Sequence, residues 1–96
     1  MNIEDTFKKY NENDYLKFEL VKNKRSTRAD LHAFLLLDEL VPGTHDIVSY
    51  AEHDEIFLSI DARDLEKAGI SDEQIHELVC CGVMYDAEND SLSMFV

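Results

Sequence analysis

Hydrophobic and polar positions along this chain change period twice, from helical spacing to alternation, and both changes follow the same order. Helical spacing over residues 28–41 gives way to alternation over Ile47 to Ile60, and helical spacing over residues 75–79 gives way to alternation from Val83 onward. The alternating stretch is written twice. Ala51-Glu52-His53-Asp54-Glu55-Ile56-Phe57-Leu58-Ser59-Ile60 recurs as Ala87-Glu88-Asn89-Asp90-Ser91-Leu92-Ser93-Met94-Phe95-Val96, with an apolar residue at every second position after the acids. The pattern predicts an α+β fold, an antiparallel sheet of four or five strands with two main helices packed on it. Two tandem helix–hairpin units, 27–61 and 62–96, follow an N-terminal arm, 1–26, within a single domain.

Local signals refine these elements. Ile3, Phe7 and Tyr10 suit a short amphipathic helix, and the polar run Asn11-Glu12-Asn13-Asp14 is expected to break it. Tyr15 to Lys22 alternates as a half-buried strand does; Leu16, Leu20 and Val21 also fit one helical face, and the alternation favours the strand. The helix at 28–41 has Ser26 or Thr27 as cap, Asp30 in its first turn and Pro42-Gly43 as its stop. It is apolar nearly all the way round, with only His32 and Glu39 as a polar strip, so it needs cover on more than one side. That excess points to a homodimer through Leu36, Leu37 and Leu40. Asp61 caps a short helix, Ala62 to Ala68, which Gly69 closes in the left-handed conformation. Ser71 and Gln74 have capping-box spacing, Ile70 and Ile75 that of a hydrophobic staple, and Gly82 is the stop.

Charge changes the picture more than composition does. The 96 residues carry a net charge of −12, but unevenly: residues 1–28 hold seven bases and five acids, whereas 29–96 hold only Arg63 and Lys67 against sixteen acids. Such a body repels nucleic acid and anionic membranes and attracts basic proteins. Solubility alone is the simpler reason for the acidity. The basic run Lys22 to Arg28 lacks interleaved aromatics and reads as a solvated turn, or as a segment that docks on the acidic surface of a second copy. No apolar run reaches membrane-spanning length, and the opening residues lack the order of a signal peptide. The only cysteines are adjacent, Cys80-Cys81, poor geometry for a disulfide, so a cytoplasmic setting is expected.

Candidate chemistry is sparse. The three glycines are each explained by a turn or helix stop, leaving none for a phosphate-binding loop. The four histidines fit no metal spacing, and neither metal nor cofactor is expected. His76 and Cys80, four apart on a helix with Glu73 on the same face, are the best catalytic arrangement on offer, although a structural small-residue role suits the cysteines better. The sharper candidates are the acidic hairpin turns: Glu52, His53, Asp54 and Glu55 in the first, Asp86, Glu88 and Asp90 in the second. Arranged alike, they would line one extended edge. The reading is a non-enzymatic interaction or self-associating module whose acidic surface engages a basic protein. The alternatives are a nucleic-acid mimic or an inhibitor or immunity-type protein, and a small enzyme using His76 and Cys80.

Overall fold

A computed structural model describes residues 2–88 and 90–95. The elements run α1 (Ile3–Asp14), a single 3-10 turn (Phe18–Leu20), α2 (Ala29–Leu40), β1 (Val48–Glu52), β2 (Glu55–Leu58), α3 (Ala62–Ala68), α4 (Asp72–Cys80), β3 (Val83–Asp86) and β4 (Ser91–Phe95). The class is α+β, with four helices and one four-stranded antiparallel sheet of order β1-β2-β4-β3 among the described residues.

The repeat becomes a local twofold. β2 and β4 pair centrally with Ile56 opposite Met94 and Phe57 opposite Ser93. Phe57 and Ser93 hold equivalent places in the two sequence copies, so the twofold passes between them. The two hairpins differ in their turns. β1 and β2 close at Glu52 opposite Glu55 over two residues, with His53 left-handed at φ 54°; β3 and β4 close at Asp86 opposite Ser91 over residues 87–90.

One face of the sheet builds the core. Leu58, Val83, Leu92 and Met94, with half-buried Ile56 and Tyr85, join Phe7 of α1, Ala33, Leu36 and Leu37 of α2, Leu65 of α3, and Ile75, Leu78 and Val79 of α4 in one apolar cluster. α1 lies against α4 and β3, and α2 against α4. Local specification of the second unit is strong. Asp61 and Asp64 form a reciprocal capping box on α3, Ser71 and Gln74 form another on α4, and Gly69 ends α3 at φ 74°. Ile70 and Ile75 are both buried, as the staple requires.

Three local expectations are corrected. α1 does not break at Asn11 but continues to Asp14, because its polar residues find partners that local propensity ignores. Asn11 Nδ2 donates to the Val83 carbonyl, Asn13 Nδ2 to the Lys9 carbonyl, and Asp14 meets His76. Tyr15 to Lys22 is no strand. Leu16 turns left-handed at φ 62° with its N–H on the Val79 carbonyl, the 3-10 turn follows, and the segment packs on α4. Its alternation misleads because Leu16 and Leu20 stay exposed while Val21 is buried and Phe18 half-buried. Finally, α2 begins after Arg28 without a side-chain cap, since the Ser26 hydroxyl accepts from the Arg28 N–H instead.

Candidate functional site

The histidine–cysteine pair does form on α4, but with a different third partner. Cys80 Sγ lies 3.6 Å from His76 Nε2, and the carboxylate beside that nitrogen is Asp14 of α1, at 2.8 Å. Glu73 only lines the same cleft of ≈ 270 Å³, with Leu20, Lys22 and Glu77 among the other walls. Thiol and carboxylate share one ring nitrogen, so the imidazole does not bridge them as a base oriented by an acid on its other nitrogen would. Burial, with Asp14 and Glu19 adding to it, pushes the Cys80 thiol up to about 11, and burial pushes Cys81 up to about 12. Both are protonated at neutral pH, the wrong state for a nucleophile. The hydrogen bond from His76 holds the Asp14 carboxyl below its ordinary value. With the Tyr10 ring 4.5 Å from the imidazole, the cluster clamps α1 to α4.

A second polar cluster went unread in the sequence. His32, assigned to a solvent-facing strip, is fully buried. Its Nδ1 accepts from the Arg25 N–H at 3.1 Å and its Nε2 faces Glu77 at 3.4 Å, while Arg25 reaches Glu39 at 2.8 Å. The basic run thus folds back on α2 and α4, with Arg28 paired to Asp30 and Lys24 donating to the Val21 carbonyl. Among the described residues, no three His, Cys, Asp or Glu side chains gather as a metal site would require.

The leucines proposed for a dimer are corrected by their burial. Leu36 and Leu37 lie in the chain's own core at 1% and 0% exposure, and Leu40 is half-buried against it. At 100° per residue those three face inward, and the residues left outside are Leu31 and Leu35, at 46% and 47% exposure.

The acids, too, are arranged otherwise than expected. Because β2 and β4 are antiparallel, the start of β2 lies beside the end of β4, with Glu55 opposite Phe95. Glu52, His53, Asp54 and Glu55 therefore sit at one end of the sheet, and Asp86, Glu88 and Asp90 at the other. The length of β4 puts roughly 14 Å between them. The two turns do not form one edge, because a twofold normal to the sheet sends equivalent turns to opposite ends.

Between those ends lies the sheet's second face, from which the core cluster takes nothing. The registers set Tyr50, Phe57, Ser93 and Met84 side by side across all four strands. Tyr50 stacks on Phe57 with ring centroids 4.6 Å apart, leaving Phe57 covered and Tyr50 half exposed. The next row is Glu52, Glu55 and Phe95, the last 55% exposed; the row on the other side is Ser91 and Asp86. The four strands and their turns hold six acids and no lysine or arginine. No family model, no characterised protein sequence and no solved structure matches the chain. The site therefore rests on its own geometry.

Alternation alone does not reveal this face, because Ile56, Leu58, Leu92 and Met94 at every second position account for the core side of the hairpins. The signal was present in the uninterrupted runs Ile56-Phe57-Leu58 and Met94-Phe95, which put apolar side chains on both faces of a strand. Among the described residues, no helix is long and apolar enough to cross a membrane.

Proposed function

We propose that this chain is a small non-enzymatic binding module whose acidic sheet engages a basic protein. One observation carries the reading: every charged side chain of the strands and their turns, histidine aside, is a carboxylate. Four of the seven bases in residues 1–28 are already engaged by acids of the helices: Arg25 and Arg28 pair with acids of α2 and α4, and Lys17 and Lys9 with Asp14 and Asp72. The protonated state of both thiols supports the non-enzymatic half of the reading.

An electrostatic interface of this kind gives fast, salt-sensitive encounter. Titration with a lysine-rich peptide at rising ionic strength tests it. Affinity should fall steeply with salt; affinity unchanged through high salt would overturn the proposal. Self-association is a second reading, favoured by the exposed Leu31–Leu35 stripe of α2. Light scattering that finds only monomer at high concentration would remove it.

A further inference from the structure

Resting on that acidic-module reading, we infer that the second face of the sheet, which gives nothing to the core cluster, is the docking surface, and that its occupant is a cationic amphipathic helix lying across the strands. The argument starts from the bands on this face. The central row, Tyr50–Phe57–Ser93–Met84, is apolar apart from the small Ser93, and carboxylates flank it on both sides: Glu52 and Glu55 along one, Asp86 along the other. The opposite placement of the two turns, which rules out a single acidic edge, is what produces this acid–apolar–acid order. A helix with an apolar stripe and lysine or arginine on either flank has the complementary order.

The dimensions agree. Three interstrand gaps of about 4.8 Å give a row of about 14 Å. Nearly three helical turns, about ten residues, cover that length. Exposed apolar surface is available at one end of the row, in Tyr50 at 49%, and in the adjoining row, in Phe95 at 55%. Glu52 stands directly opposite Glu55 on this face. Two like charges in a cross-strand pair repel, and a cation seated between them relieves that repulsion. A second copy of this chain would instead bring another carboxylate-only sheet against this one, so a basic partner is the better fit.

The test uses the full chain and one probe, a synthetic peptide of leucine and lysine with its leucines at helical spacing. Amide chemical shifts are followed by NMR during titration, and affinities are measured for Phe95→Ser and Tyr50→Ser, with circular dichroism confirming that both fold. Shifts should concentrate on Tyr50, Phe57, Met84, Ser93 and Phe95, and each substitution should weaken binding by roughly tenfold. Salt-sensitive binding whose shifts map to the hairpin turns alone, with both variants binding normally, overturns this inference and leaves the acidic module standing; shifts confined to the helices or to Leu31 and Leu35 overturn both. Absence of binding at low salt overturns both. Concentration-dependent shifts of the same face without peptide identify a second copy as the occupant and also overturn the inference.

Discussion

Replacement of Leu37 by alanine separates a leucine that belongs to the chain's own core from one that awaits a second subunit. Leu37 is fully buried in the described chain, with Ala33, Leu36 and Leu40 on the same side of α2. Leu37→Ala removes three carbons, about 2.4 kcal/mol at the usual 0.8 kcal/mol per buried methylene. The cavity left behind raises the cost into the range of about 2–5 kcal/mol. Against a stability of about 5–14 kcal/mol for a chain of this length, that is a large fraction. It corresponds to a melting temperature lower by roughly 10–30 °C. Leu35, two residues away and half exposed, should cost about 1 kcal/mol or less on the same change. Urea denaturation followed by circular dichroism, at two widely separated protein concentrations, measures both. A core origin predicts losses independent of concentration, because the buried contacts are intramolecular. Equal losses for the two variants, or a Leu37→Ala loss that shrinks as protein concentration rises, would refute the packing argument.

Other consequences can be measured alongside. Gly82 sits at φ 98°, and a Cβ there would meet Leu16 Cδ2 at 2.8 Å, so Gly82→Ala should destabilise by more than about 1 kcal/mol in the same denaturation assay; a neutral result would contradict the described turn. Glu52→Gln removes one member of a like-charge cross-strand pair and should raise stability by about 0.2–1 kcal/mol, toward the lower end at an exposed site, while weakening peptide binding; lowered stability would contradict the pairing. Asp14 is held below its ordinary 3.8 by His76, so its contribution is complete above that value and is lost as pH falls through the lowered one. The stability gap between the native chain and Asp14→Asn should therefore be widest near neutral pH and close in acid; a gap constant across the titration would remove the proposed clamp.

The second helix–hairpin unit was largely legible from sequence because its instructions are local. Capping residues, a staple and a closing glycine act within a few residues of one another, and Asp61, Gly69, Ser71 and Gln74 are found in those roles. The N-terminal arm was not, because its conformation is set from a distance. Leu16 is held by the carbonyl of Val79, and Asn11 by that of Val83. His32 shows the same limit: helical periodicity put it outside, whereas its partners Arg25 and Glu77 allow it to be buried without loss of hydrogen bonding. The acids were identified as a sequence feature, but their distribution depends on strand order. Repeated hairpins could run side by side or meet about a twofold, and only the antiparallel pairing of β2 with β4 sends their turns apart.

The central claim, that the acidic sheet is a binding surface rather than a source of solubility, is tested most directly by matched charge reversal. Glu52, Asp54 and Glu55 are changed together to lysine in one variant, and the exposed helical acids Glu12, Asp38 and Glu66 in another, so that net charge changes equally. Affinity for the lysine-rich peptide is then compared at one ionic strength. The account predicts that binding is lost in the first variant and largely kept in the second; equal weakening in both would mean that net charge alone attracts the peptide, and would contradict it.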